Sequence, residues 1–192
     1  MNILIVNAHQ PYEFSPGKLT AALIEKATAL LQNKGHSVKH SNVLAYDIED
    51  EFAKYQWADA VIFQFPVHWM SVPWQAKKYI DEVFIAGGSG VFCNNDGRSS
   101  QNPTANYGTG GLMNDKKYLL SATFNAPAQA FDNPNEYLFQ GKSLDDLLLP
   151  LHATFRFFAM QKLPSFACFD VLKNPQIEQD FERWKQHLND LF

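Results

Sequence analysis

Short, fully apolar runs along the chain are separated by stretches in which apolar residues recur at helical spacing. Ile3-Leu4-Ile5-Val6 is the first run, largely β-branched and without a polar interruption. Such a strand is buried on both faces, as central strands of parallel sheets are. Residues 7–16 read as loop, with Pro11, Ser15 and Pro16. Leu19, Leu23, Ala27, Leu30 and Leu31 then mark one face of a helix, which Gly35 stops as a left-handed cap. Ser37–Leu44 is a weaker strand built on Val38 and Val43, and a short polar link leads from it to a strong strand over Ala60–Phe65. Trp74–Phe84 reads as a helix with Trp74, Lys78, Asp81 and Glu82 available to its outer face.

Residues 86–115, rich in Gly, Ser, Asn and Asp, form a long irregular excursion. Excursions of that length inside a compact domain are more often functional or interfacial than idle. Tyr118–Thr123 is the next strand. Ser143 caps a helix with Asp145 and Asp146 in its first turn, and Pro150 should kink that helix or split off its first turns. Leu163–Phe169 is the last strand. Asn174-Pro175 starts a closing helix with Ile177, Phe181, Trp184, Leu188 and Leu191 on one face.

The resulting order is β-α-β-β-α-β-α-β-α, with the helical position between the second and third strands short. It implies an α/β fold, a five-stranded parallel sheet with helices on both faces. The ligand of such an open sheet belongs at the carboxyl ends of its strands, at the point where strand order reverses.

Composition narrows the partners. A chain of 192 residues, 46% hydrophobic and 19% charged, is expected to fold as one globular domain over 1–192. Most of its 16 phenylalanines belong to the core on this reading. The formal charge of −4 and the lack of a basic stripe argue against nucleic acid. The first strand begins at Asn2 with no basic region before it, and no stretch is apolar enough for membrane insertion, so a cytoplasmic location is expected. Cys93 and Cys168 lack metal spacing and read as free thiols, Cys93 in a loop where it could be exposed. His36, His40, His152 and His187 read as structural, and no pair has the spacing of a metal site.

Three loops end at the carboxyl edge of the expected sheet. Asn7–Lys18 runs into a helix N-terminus, where free amides suit phosphate, and His9, Ser15 and Lys18 could add donors. Alone this is weak evidence, because Ser15-Pro16 also fits an ordinary helix start. FQFPVHWMSVPW (Phe63–Trp74) is stiffened by Pro66 and Pro73 and carries Phe65, His68 and Trp69. Thr123-Phe124-Asn125-Ala126-Pro127 offers backbone edges. A phosphate tail with a flat, hydrogen-bonding ring would satisfy all three loops, and a flavin has both.

QFPVHWMSVPWQAKKYIDEVF (Gln64–Phe84) resembles the QxPxxWxxxPxxxKxxxDxVF signature of flavodoxin-fold quinone reductases. LLSATFNAP (Leu119–Pro127) is similar to that family's fourth-strand motif. Asp96–Ser121 and NILIVNAHQPYEFSPGKL (Asn2–Leu19) resemble its bacterial branch, modulator of drug activity B. The resemblance implies a flavodoxin-like, FAD-bound cytosolic homodimer, an NAD(P)H:quinone oxidoreductase. NADPH or NADH would reduce the flavin by hydride transfer, and a quinone would then take both electrons in ping-pong order. By matching positions, FAD would lie along Ser15, Gly17, Lys18, Leu19, Thr20 and Ala22, with its ring near Pro66, Val67, His68 and Trp69 and at Thr123, Phe124, Asn125 and Ala126. Tyr107 would also touch it.

Relatives in this branch carry a large aromatic residue in place of His68 and a glycine in place of Val67. Mammalian relatives use a Tyr and a His after the fourth strand to relay charge, and those places hold Phe131 and Phe139 or Gln140 here. Either water and backbone amides stabilise the reduced ring, which is the expectation, or His68 takes part of a catalytic role. Two rivals remain: an FMN-dependent azo- or nitroreductase, and a non-enzymatic flavin electron carrier. Tyr12 and Phe14, which could extend the first loop toward an adenosine, speak against the former, and the modest charge and long 86–115 loop against the latter.

Overall fold

The computed structural model describes residues 1–192. The elements are β1 (Asn2–Asn7), α1 (Lys18–Asn33), β2 (Ser37–Asn42), α2 (Ile48–Trp57), β3 (Ala60–Pro66), α3 (Trp74–Ala86), β4 (Lys117–Thr123), α4 (Leu144–Leu147), α5 (Leu149–Phe157), β5 (Gln161–Lys162), β6 (Phe166–Cys168) and α6 (Ile177–Leu191). The sheet order is β2-β1-β3-β4-β5, with β6 also on β4, and every pairing is parallel. The chain steps outward from β1 to β2 and then reverses to β3, so the switch point lies between the carboxyl ends of β1 and β3.

Alternate residues of the central strands face opposite layers. Ile3, Ile5, Ile62 and Leu119 pack with Leu23, Ala27 and Leu31 of α1 and Trp184 and Leu188 of α6. Leu4, Val6, Val61, Phe63, Phe65 and Leu120 pack on the other side with Tyr79 and Val83 of α3 and Leu151 and Phe155 of α5. The fully apolar runs are therefore apolar because each side chain has a helix above or below it. Gly35, at φ +85°, ends α1 as expected, and the His36 amide donates to the Leu31 carbonyl at 3.0 Å. Ser143 and Asp146 form a capping box, and Pro150 sits in the first turn of α5, which separates it from α4.

Three expectations need correction. The polar link before β3 is a ten-residue helix, α2, capped by Asp47, whose carboxylate accepts from the Glu49 and Asp50 amides. The last strand is two short pieces. Gln161–Lys162 pairs with the start of β4 and Phe166–Cys168 with its end, while Pro164, which has no amide to donate, lies between them. Cys93 is buried rather than exposed, 3.4 Å from the Gly88 carbonyl, and burial raises its thiol pKa. Phe92 anchors the 86–115 excursion by meeting Phe84, Phe158, Tyr55 and Phe52.

Both cysteines are free. No helix is long and apolar enough to cross a membrane. Polar chains knit the far layer. Tyr118 Oη lies 2.9 Å from His152 Nδ1, His152 Nε2 lies 3.0 Å from Asp145 Oδ1, and Asp145 also accepts from Lys162 and Ser165. Burial works to raise the Asp145 carboxyl, but these bonds outweigh it and hold it below its ordinary value.

Burial holds His9, His40, His68, His152 and His187 below the ordinary imidazole range. The unfolded chain protonates first, near about 6.5, and the folded chain only at lower pH. In that window the unfolded state binds more protons, so stability is intact above it and falls as pH drops into it. The melting temperature is expected to decline between pH 7.5 and 5.5, before carboxylates titrate; a flat profile there would contradict these burials.

Candidate functional site

The carboxyl ends of β1, β3 and β4 open onto a cleft of about 230 Å³. Its floor and near wall are His9, Ser15, Gly17, Thr20, Pro66 and Thr123, and its far side is Val171, Leu172 and Ile177. Helix α1 points its N-terminus here. Gly17 precedes it in a left-handed conformation with no side-chain cap. The first amide to find a helical acceptor is that of Ala21, on the Gly17 carbonyl at 2.9 Å. The amides of Lys18, Leu19 and Thr20 are left for an anion, reinforced by the helix dipole.

The loop before α1 is a tight hairpin. Tyr12 and Ser15 exchange both backbone hydrogen bonds at 3.0 Å. His9 is buried beneath it, its Nε2 3.1 Å from the Ser15 carbonyl and its Nδ1 without a partner. Burial lowers the His9 pKa, the Ser15 contact opposes that, and nearby His68 lowers it further.

After β3 the chain makes a second hairpin. His68 and Ser71 exchange backbone bonds of 2.8 and 3.2 Å, with Trp69 and Met70 at the tip. Both tip residues have positive φ, +49° and +65°. Large side chains rarely adopt that conformation, and it costs roughly 1–3 kcal/mol for each. The effect is to hold Trp69 out, 94% exposed, at the tip of the hairpin that follows β3. The Tyr12 ring lies 5.3 Å from the His68 ring, joining the two hairpins, and the His68 imidazole makes no hydrogen bond. Burial keeps that imidazole below its ordinary pKa.

The third loop is locked to the second by the Val67 amide on the Thr123 carbonyl at 2.9 Å. It is locked to the loop after β6 by Val171 on Phe124 and Asp170 on Ala126, both at 3.0 Å. Phe124 turns inward onto Phe169 and Phe131.

Of the residues singled out in the sequence, Ser15, Gly17, Lys18, Leu19, Thr20, Pro66 and Thr123 line the cleft together. Val67, His68 and Trp69 continue the chain from Pro66, and Asn125 and Ala126 lie just beyond Thr123, without lining the cleft; Phe124 is buried, and Ala22 lies further along α1 without lining it either. Ser15-Pro16 does not start the helix, which begins at Lys18. Tyr107 is elsewhere: it stands 71% exposed in a separate pocket with Phe157. Phe131 and Phe139 stack at 4.4 Å as apolar packing, and Gln140 is exposed. Val171, Leu172 and Ile177 carry no polar signature that could have marked them in the sequence.

These residues suit a flavin nucleotide: free helix amides and the Lys18 side chain for phosphate, hydroxyls at Thr20 and Thr123, and a rigid rim of peptide edges for a planar ring. Fold and site define a flavodoxin-like protein, and the family described as having the flavodoxin-like fold matches residues 1–188. A candidate quinone reductase from Klebsiella pneumoniae superposes with a TM-score of 0.77 at 24% identity, covering 100% of this chain and 85% of that one. General stress protein 14 of Treponema denticola, solved with FMN, superposes with a TM-score of 0.67 at 16% identity, covering 100% and 99%. In sequence, the chain is 44% identical over 193 residues to NADPH:quinone oxidoreductase MdaB of Haemophilus influenzae, covering 100% of each. The chain belongs to the MdaB family of flavodoxin-like NAD(P)H:quinone oxidoreductases.

Proposed function

We propose that the chain is an FAD-dependent NAD(P)H:quinone oxidoreductase, a homodimer of single-domain subunits acting in the cytoplasm. The observation that carries this reading is the cleft itself, where an uncapped helix N-terminus meets a rim built from two hairpins and the loop after β4. Bound there, a flavin would supply a two-electron relay between NAD(P)H and a quinone.

The chain's own residues bind and orient. The amides of Lys18, Leu19 and Thr20 would hold phosphate, with Ser15 beside them. Residues 66–69 and 123–126 would border the ring and fix its distance from an incoming substrate, which is what hydride transfer most needs. Each hydride delivered to a quinone must be matched by a proton. The stacked Phe131 and Phe139 can carry none, so the proton comes from water, with the unbonded His68 imidazole at the rim as an auxiliary group.

Two features favour FAD over FMN. Phe14, stacked on Tyr12 at 5.4 Å, lines the cleft, and the cleft continues past the phosphate site to the apolar wall at Val171, Leu172 and Ile177. An FMN would end at the phosphate, and those surfaces would have no adenosine to meet.

Two features favour a dimer. A cleft of about 230 Å³ encloses only part of a flavin nucleotide, and Phe14 on its wall and Trp69 on the hairpin after β3 stand exposed. Tyr107, remote from the cleft in its own chain, would then reach the flavin of the second copy.

An anaerobic titration with NADPH tests the reading. The visible flavin band is expected to bleach with one equivalent and to return on adding one equivalent of menadione, and heat should release FAD by mass. A bound flavin that NADPH cannot bleach would mean an electron carrier. Release of FMN would overturn the FAD assignment, and failure to take up any flavin would overturn the reading of the cleft.

A further inference from the structure

Helix α3 carries a stripe of exposed side chains along one face: Trp74, Lys77, Lys78, Asp81, Glu82 and Ile85. Its other face is taken up by the core, through Ala76, Tyr79, Ile80, Val83 and Phe84. Trp74 is 59% exposed and Ile85 76% exposed, one at each end of the stripe. Between them lie two ion pairs, Lys77 with Asp81 at 2.5 Å and Lys78 with Glu82 at 3.6 Å.

The order of those charges does not serve the helix itself. Both lysines lie toward the N-terminus, the positive end of the helix dipole, and both carboxylates toward the C-terminus. A lysine placed four residues ahead of its acidic partner is also the weaker orientation of such a pair. The core has no use for a tryptophan and an isoleucine pointed at solvent.

About its middle, between Tyr79 and Ile80, the stripe is complementary to itself. A second α3 laid antiparallel across it sets Trp74 on the partner's Ile85, Lys77 beside the partner's Asp81 and Lys78 beside the partner's Glu82. Each contact occurs twice, as two-fold symmetry requires. On each flank one copy's ion pair meets the other's in a ring of alternating charge, and the two helix dipoles oppose.

The ends of α3 connect the stripe to the cleft. The helix starts just after the hairpin that carries Trp69 and ends where the excursion that carries Tyr107 begins, about 20 Å away at 1.5 Å per residue. Antiparallel pairing brings the excursion of one copy beside the hairpin of the other, which turns Tyr107 away from its own cleft and toward its neighbour's. We propose that the exposed face of α3 is the two-fold contact between two copies of this chain. The proposal rests on the homodimer reading above and adds the surface that forms it.

Sedimentation equilibrium of the full chain with FAD present, beside native mass spectrometry of mixtures, tests it without any turnover. The wild type is expected to be a dimer. Lys77→Glu with Lys78→Glu makes the charged stripe wholly acidic, and Asp81→Lys with Glu82→Lys makes it wholly basic. Each double variant alone should dimerise at least about a hundredfold more weakly, because every charged contact across the axis becomes repulsive. Mixed in equal amounts, the two should form a heterodimer of near wild-type strength, a rescue that a misfolded variant cannot give. Ile85→Asp should also weaken the dimer and leave the circular dichroism unchanged, and it decides alone if a double variant fails to fold. Wild-type dimerisation of the folded variants, or two folded monomers that do not pair when mixed, would overturn the proposal and leave a dimeric wild type in place. A monomeric wild type would overturn the homodimer reading and this contact with it.

Discussion

Gly17→Ala is expected to strip the protein of its flavin while leaving most of the fold in place. Gly17 has φ +87°, and a Cβ there would lie 2.5 Å from His9 Cδ2 and 2.6 Å from His9 Nε2. The imidazole cannot swing aside freely, because it is buried and its Nε2 is tied to the Ser15 carbonyl. The loop must move instead, and it carries the amides that open α1. Left-handed strain alone costs about 1–3 kcal/mol, and the clash adds to it. If the helix start relaxes by even half an ångström, phosphate loses its aligned donors, and flavin affinity should fall by about a hundredfold, which corresponds to ~2.7 kcal/mol. Gly35→Ala is the control. Gly35 has φ +85° with nothing within 4 Å of its would-be Cβ, so it should lose stability by the same backbone strain and bind flavin normally. Equilibrium dialysis of flavin, beside a melting curve for each variant, separates the two effects. Wild-type flavin affinity in Gly17→Ala would remove the α1 N-terminus from the site.

The difference between these two glycines also shows what could be read from the sequence. Both look like helix punctuation, and the cap at Gly35 is legible because it follows a periodic apolar face. What makes Gly17 special is His9, eight residues away across a hairpin, and that contact is tertiary. The same holds elsewhere. Ile3–Val6 and Ala60–Phe65 announce themselves because a strand covered on both sides can be nothing but apolar, and the Ser143 box is local chemistry. The convergence of the loops after β1, β3 and β4 follows from topology alone, so most of the cleft was within reach. Its far wall was not, since Val171 and Leu172 differ in no local way from any apolar loop. The split at Pro164 was hidden because each half of the last strand pairs with a different part of β4. Helix α2 was missed for a sharper reason: the side chain at the centre of its buried face is a glutamate.

Glu51 is 0% exposed, and Glu51→Ala is expected to be among the most destabilising single changes in the chain. Its carboxylate accepts from Ser41 Oγ at 2.9 Å, from Lys54 Nζ at 2.6 Å and from Tyr79 Oη at 2.5 Å. Those donors belong to β2, α2 and α3, so one side chain ties the outer strand to two helices. Ser41 and Tyr79 are buried as well, and removal of the carboxylate leaves the Ser41 hydroxyl without its acceptor and Tyr79 with only the Tyr55 hydroxyl, 3.4 Å away. Breaking a buried charged group away from its partners costs about 3–5 kcal/mol, where an exposed ion pair costs at most about 1. Tyr79→Phe removes one donor and should cost nearer to 1 kcal/mol. In the double variant the combined loss should be less than the sum of the separate losses, because without Glu51 the Tyr79 hydroxyl keeps only its longer bond to Tyr55. Urea unfolding of the single and double variants measures all three quantities. β2, α2 and α3 stand away from the cleft walls, so the folded fraction of Glu51→Ala should bind flavin as the wild type does. A loss below about 1 kcal/mol would mean that water reaches the carboxylate's partners and that the layer is not held from this point.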